Sequence, residues 1–221
     1  MIPTVTKSLP LTVQPDSSSS TVTPLFPLGT VLFPGGRLPL QIFEVRYLDM
    51  VRKCHAANQP FGVVTLSQGT EVIRPGQAEE SFHPIGTLAQ ITRLETPRPG
   101  LLLIECTGLQ RFRHQHARRL PHGLWVAELE LLADDAAVPV PEDLQNVATT
   151  LLNVLAQVAQ QPDAPPPLDP IRANDCGWLA NRWCELLPLS ADTKHRLMAL
   201  DNPLVRLELV ADLLTQYRLL D

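Results

Sequence analysis

Residues 24–51 read PLFPLGTVLFPGGRLPLQIFEVRYLDMV, and the punctuation of this stretch decides the fold. Four prolines and three glycines interrupt an apolar run before the spacing turns helical. Leu25, Phe26 and Leu28 lead to a turn at Gly29 and Thr30, and Val31 to Phe33 are expected to form a short strand. Pro34-Gly35-Gly36 then reverses the chain, because proline fixes φ and glycine permits positive φ. Pro39 has no amide hydrogen for a ladder, so its strand, LPLQIF, belongs at a sheet edge or starts at a bulge. From Glu44 onward apolar residues recur at Tyr47, Leu48, Val51 and Cys54, one helical face that fades at Ala57 to Pro60. Asn58 suits the left-handed position that ends such a helix.

The same pattern spreads outward. FGVVTLS, GTLAQITRLE, LLLIECTGLQRFRHQ and GLWVAELELL read as strands, with ETPRPG at 95–100 as the hairpin between the two longest. Leu101 and Leu103 alternate with Leu102 and Ile104, which is too apolar for a sheet with one wet face and points to a closed barrel. After DDAAVPVPED the signal becomes helical. Leu144, Val147, Leu151, Leu152, Leu155 and Val158 form one stripe, and Trp178, Leu179, Trp183 and Leu186 another. Ser190 caps a third helix with Leu197 and Leu200. Asn202 caps a fourth, with Pro203 at its first position, and short links pack these helices on one another. Charge divides at the same place: Pro24 to Leu132 holds 11 basic and 9 acidic residues, Ala133 to Asp221 holds 6 and 13. The expected organisation is a flexible arm over 1–23, which includes PDSSSSTVT, a β-barrel over 24–136 and an α-helical bundle over 137–221.

Bulk properties limit the chemistry. At 221 residues and 44% hydrophobic the chain can bury one good core or two modest ones. Its 22 prolines are about twice average usage, and only Lys7, Lys53 and Lys194 among the 18 basic residues are lysines. No apolar run approaches the roughly 18 to 20 residues of a membrane span, and the N-terminus lacks the form of a signal peptide. The four cysteines, Cys54, Cys106, Cys176 and Cys184, form no C-x-x-C pair. Reduced, buried thiols in a cytoplasmic protein without membrane attachment are expected.

Catalytic signals are weak throughout. Ser67, Ser81 and Ser190, the serines of the ordered part, stand in neither G-x-S-x-G nor S-x-x-K context. Gly35-Gly36 is followed by Arg37-Leu38-Pro39, where a nucleotide-binding loop would enter a helix with its lysine. His114 and His116, with Cys106 or His122, could in principle supply three metal ligands, but a solvated strand end with incidental histidines explains them better. Cys176 and Cys184 are expected to face the core near Trp183. Glu44 and Arg46 open the first helix, where a carboxylate acts as a cap; Asp49, the next acid, points around the helix. RFRHQHARR at 111–119 is the densest basic stretch, and a solvated strand face competes there with phosphate contact. These readings give no catalytic set, no metal site and no cofactor.

Taken together, the paired L-F-P-L and L-F-P-G-G, the L-P-L strand, F-E-x-R-Y opening a helix and the glycine-led strand after it resemble the N-terminal domain of the ATP-dependent Lon proteases. ELLPLSADTKHRLMALDNPLVRLELVADLL is similar to the later part of that domain, so the resemblance runs from Pro24 almost to Asp221. It implies an α+β fold, a PUA-like β pseudo-barrel with an inserted helix followed by an α-helical bundle. In the full protease such a module recognises and holds unfolded or tagged polypeptides. The ATPase and Ser-Lys peptidase modules of Lon are not in this sequence, which has no Walker motif and no P-x-D-G-P-S-A-G-like segment, so the stand-alone bacterial form is expected, neither ATPase nor protease. The expected function is a non-enzymatic module for exposed or unfolded polypeptide, delivering clients to an ATP-dependent protease or chaperone. Its binding residues are expected in the groove between barrel and helices and on the first helix: Phe33, Arg37, Phe43, Tyr47 and Trp178. The alternative is RNA binding by the barrel through Arg111, Arg113, Arg118 and Arg119, which the net charge of −5 disfavours. An unrecognised hydrolase is the weakest reading.

Overall fold

The computed structural model describes residues 22–69, 80–162 and 170–220. The expected arm, apart from its last two residues, lies outside them. The first half builds β1 (Thr23–Leu28), β2 (Arg37–Ile42), α1 (Val45–Ala57), β3 (Phe61–Gln68), β4 (Ser81–Arg98), β5 (Leu101–Arg119) and β6 (Trp125–Leu131). The sheet runs β2-β5-β4-β3-β1-β6, and a further β5–β6 pairing closes it into a barrel. The length of β5 allows this, because its first part pairs with β2 and its last part, from Phe112 to Arg119, with β6. β1 and β3 run parallel, which requires a crossover, and β2 with α1 forms it.

Among the described residues β2 pairs with β5 alone, so Pro39 does sit on an edge strand, opposite Glu105. The Gly36 carbonyl accepts from the Gly108 amide at 2.8 Å. Backbone groups of the even-numbered residues therefore face β5, and the missing amide of Pro39 falls on the outer side, where it costs no ladder bond. The strand expected at Val31–Phe33 is not formed. Those residues are irregular but buried, and the strand lies earlier, at Thr23–Leu28. Pro27 is tolerated there because β6 pairs with β1 only as far as Leu25, leaving an open side beyond it.

α1 starts after Glu44 and ends at Asn58, whose φ of 49° places it in the left-handed region. Glu44 occupies the cap position without a side-chain cap bond; its carboxylate takes the Arg46 Nε at 2.9 Å instead. Tyr47, Leu48, Val51 and Cys54 bury the expected face beneath the barrel strands, with Tyr47 stacked on Phe26 at 3.9 Å. On the opposite face of the same strands Phe112 is fully buried between Gly62 and Gly86. A Cβ at those glycines would approach its Cζ to 2.8 and 2.6 Å, so only glycine admits the ring.

The second half holds α2 (Gln145–Ala159), α3 (Cys176–Leu186), α4 (Ala191–Ala199) and α5 (Pro203–Gln216). Ser190 and Asn202 cap α4 and α5 as expected, Asn202 accepting from the amides of Leu204 and Val205, and Asp175 caps α3. The helices share one core, built on Val147, Leu151, Leu179, Trp183, Leu207 and Val210, into which the barrel inserts Val31, Phe33 and Ile85. α4 is further tied to β4, where the His195 and His83 rings stack at 4.0 Å and His195 Nε2 donates to the Ile85 carbonyl at 3.0 Å. All four cysteines are free and buried. No helix among the described residues is long and apolar enough to cross a membrane.

Candidate functional site

The Pro34-Gly35-Gly36 turn is one of the points where the two halves are joined. Gly35 takes a φ of 71°, which glycine adopts without strain. Arg182, 1% exposed on α3, donates through Nη2 to the Pro34 carbonyl and to Glu185 Oε1, both at 2.9 Å. Glu185 packs so closely on the turn that a Cβ on Gly36 would lie 2.1 Å from its Oε1. Burial pushes the Glu185 carboxyl up to about 7, with Arg182 and Lys194 pulling the other way. The signature turn is thus a socket for α3.

A second buried network lies beside it. Asp135, in the link after β6, accepts from Arg111 of β5 at 3.2 Å and from both terminal nitrogens of Arg206 of α5. Arg111 also donates to the carbonyls of Met198 and Leu200, at 2.9 and 3.1 Å. Arg206 donates to the Leu200 carbonyl and, at 3.1 Å, to Asn181 Oδ1. Gly177 permits this arrangement, since a Cβ there would sit 2.7 Å from Asp135 Oδ2. Burial pushes the Arg111 guanidinium down while Asp135 raises it, and the two remain a compensated pair.

Between these networks a cleft of about 400 Å³ opens at the junction of barrel and helices. Pro34, Gly35, Leu109 and Asp135 line one side, and Trp178 and Asn181 of α3 the other. Exposed Asp134 and Arg172 also line it, carrying opposite charges. Asn181 is 3% exposed and its oxygen accepts from Arg206, while the buried nitrogens left without a partner at this junction among the described residues are Arg182 Nε and Nη1 and Arg206 Nε.

The expected binding residues are not brought together. Trp178 is half-buried and lines the cleft. Phe43, 57% exposed, lies away from it, beside a groove of about 160 Å³ shared with Leu40 and Tyr47, and Arg37 is exposed on β2. Phe33 and Tyr47 are corrected to core residues. Phe33 is 0% exposed because the turn drives it into the helical core, and Tyr47 is 2% exposed against Phe26, where burial raises its hydroxyl pKa. Arg111 is likewise corrected: its guanidinium is committed to Asp135 and two helix carbonyls, leaving nothing for a phosphate. Arg113, Arg118 and Arg119 stay exposed, but a register shift between Gln115 and Arg118, with His116 at a φ of 49°, breaks the run into more than one face. The same shift separates the histidines. His114 packs edge-on against Phe82, His116 lies 3.4 Å from Glu128, and Cys106 belongs to the barrel core. Among the described residues no group of three His, Cys, Asp or Glu side chains could hold a metal.

Asp135, Asn181, Arg182, Glu185 and Arg206 were not found by sequence reasoning. The available signal was polar residues inside apolar helical stripes: Arg182 stands beside Trp183, and Arg206 beside Leu207.

A closed barrel with a crossover helix, locked to a helical bundle around a cleft that Trp178 and Asn181 help to line, defines an α+β module. Residues 22–216 match the ATP-dependent protease La (LON) substrate-binding domain, and the chain belongs to that family, whose domain is non-catalytic. The structure is similar to the crystal structure of the Lon N-terminal domain protein from Xanthomonas campestris, with 30% identity and a TM-score of 0.67 over 87% of this chain and 98% of that one. It shares its fold with the N-terminal domain of Mycobacterium avium complex Lon protease, at 13% identity and a TM-score of 0.55 over 86% of this chain and 96% of that one. A comparison with curated protein sequences gave no match.

Proposed function

We propose that this chain is a non-catalytic polypeptide-binding module that takes exposed or unfolded segments in the cytoplasm and passes them to an ATP-dependent protease or chaperone. Membership of the LON substrate-binding family carries the reading. The cleft supports it, offering a half-buried indole beside the apolar surfaces of Pro34 and Leu109 at the junction of barrel and helices. Burial pushes the Cys106 and Cys184 thiols up to about 12, so neither supplies a thiolate at neutral pH. Arg37 and Phe43 are a second contact region for a longer client, on the β2 edge.

Photo-cross-linking to unfolded casein, followed by mass spectrometry of the attachment sites, tests this directly. Cross-links are expected around Trp178 and Phe43, with neither casein cleavage nor ATP hydrolysis by the purified chain. Intrinsic proteolysis, or cross-linking no greater to unfolded casein than to a folded protein, refutes it.

A further inference from the structure

α4 is held on the barrel by a pair of histidines that the cleft and its networks do not use. The ring of His195, on α4, stacks on the ring of His83, on β4, at 4.0 Å with 13° between their planes, and His195 is 5% exposed. His195 Nε2 donates to the Ile85 carbonyl at 3.0 Å, so the docked ring already carries one proton and a second would make it a cation. His83 Nε2 is buried and makes no hydrogen bond. Asp192 of α4 is the carboxylate that faces the pair, with Oδ1 3.4 Å from His83 Nε2, but it is 50% exposed and its Oδ2 is held by Arg196 at 2.7 Å. Other groups around α4 offer no compensation. His114 of β5, hydrogen-bonded to the His83 backbone, is itself pushed down by burial, and β3 carries no charged side chain. Lys194 turns to the Glu185 carbonyl, and Arg111 of β5 holds the Met198 and Leu200 carbonyls. Burial pushes the His195 ring down by more than the Ile85 bond raises it, and His83 adds to the fall while Asp192 opposes it. α4 has only nine residues, too few to stay helical on its own, so it is a helix only while docked.

We propose that α4 is a proton-released latch: uncharged, the His83–His195 stack seals α4 on β4, and in mild acid protonation drives the two rings apart and lets α4 leave the barrel. Two imidazolium rings 4.0 Å apart repel, and the Asp192 carboxylate, screened by solvent and shared with Arg196, compensates one of them at most. Release uncovers Ile85, Leu197 and Met198 and withdraws the carbonyls that hold Arg111, so acid opens apolar surface at the junction. The released ring takes its proton at the ordinary value of about 6.5 and the docked ring only at lower pH, so docking is strongest above 6.5 and weakens as pH falls below it. The Glu185 carboxyl, beside Lys194, titrates in the opposite sense, so a weakening in acid belongs to the histidines. The latch is independent of what the cleft binds.

Hydrogen exchange of the full chain, resolved by mass spectrometry at pH 7.5 and 5.5 and corrected for the intrinsic exchange rate, tests this. The opening equilibrium of α4 is expected to rise at least threefold in acid, and up to about tenfold, the value for one histidine of ordinary pKa that titrates only when released. α2 should change less than α4. His195→Gln keeps a donor for the Ile85 carbonyl without a titrating ring, and its α4 should change less than about twofold between the two pH values. In a proton NMR titration the His195 ring of the parent should titrate below about 6.5, and His83→Gln should move it up toward that value. An α4 equilibrium that is the same at both pH values, an equal rise in α2 and α4, or a response in His195→Gln like that of the parent overturns the latch. A His195 ring that titrates at or above its ordinary value overturns it too. Circular dichroism melting at pH 7.5 checks that each variant folds; should His195→Gln not fold, His83→Gln takes its place in the exchange measurement and is expected to show no more than about half of the parent's response, an undiminished response overturning the latch.

Discussion

Replacing Gly36 by alanine adds one methyl group and is expected to damage the junction of barrel and helices severely. The new Cβ would lie 2.1 Å from Glu185 Oε1 and 2.9 Å from the Phe33 carbonyl oxygen. Glu185 is the element that can move, and moving it breaks its 2.9 Å bond to Arg182. Arg182 is 1% exposed, and its Nε and Nη1 have no partner among the described residues, so it would keep only the Pro34 carbonyl. Breaking a fully buried pair costs about 3–5 kcal/mol. Glu185 is 27% exposed and recovers some hydration, which reduces the cost to roughly 3 kcal/mol. For a chain of this size that is a fall in Tm of about 6–12 °C, measurable by calorimetry or circular dichroism. In an Glu185→Ala background the same substitution meets only the Phe33 carbonyl and should cost about 1 kcal/mol, giving a coupling near 2 kcal/mol in the double-mutant cycle. A Tm within about 2 °C of the parent, or additive effects of the two changes, would show that the turn is not gripped by α3 in the way described.

Three further outcomes are expected. Asp135→Asn removes the carboxylate shared by Arg111 and Arg206 and should destabilise the chain by about 3–5 kcal/mol, read as a lower denaturation midpoint in urea; a shift under 1 kcal/mol would contradict the shared role. Because the Glu185 carboxyl is raised from 4.5 to about 7 in the folded chain, the folded state binds more protons between these values, so its contribution to stability is present at low pH and lost as pH rises through 7. Glu185→Gln should flatten that decline, which is on the order of 2–3 kcal/mol, in melts run from pH 4.5 to 8; parallel profiles of parent and variant would refute it. A thiol reagent should modify none of Cys54, Cys106, Cys176 and Cys184 in the native chain and all of them in urea, since each is buried and burial raises each thiol; rapid native labelling would contradict that packing.

How much of this was legible in the sequence follows from range of interaction. α1 was readable to within a residue because its start, its apolar spacing and Asn58 at its end are local facts, and the caps at Ser190 and Asn202 are local as well. The barrel followed from the two-sided apolar alternation at Leu101–Ile104. The strand at Thr23–Leu28 was displaced toward Val31–Phe33 because apolarity alone does not separate a strand from a buried irregular segment; what puts Phe33 in the helical core is its contact with residues more than 100 positions away. The site depended on such contacts throughout. Trp178 was legible as an aromatic on a helix that lines the cleft, but whether Tyr47 or Phe33 faces solvent is decided by what packs over them, and Arg111 is committed by Asp135 and the C-terminal end of α4, which are distant in sequence.

The L-F-P-G-G turn carries both the stability of the junction and the shape of the cleft. Pro34 and Gly35 form part of the cleft wall, and the carbonyl of that same Pro34 is held by Arg182, one residue beyond Asn181 on α3. The turn and α3 are therefore tied by one bond network, so that loosening the turn must also shift the α3 residues that line the cleft. The converse follows by linkage. A segment held between them binds only the docked arrangement and stabilises it by about 2.7 kcal/mol at a concentration 100 times its Kd. Unfolded casein should accordingly restore most of the Tm lost by Glu185→Ala, a variant that weakens docking without touching the cleft lining, and should raise the Tm of Trp178→Ala far less at the same concentration. Equal rises in the two variants would separate ligand binding from the junction.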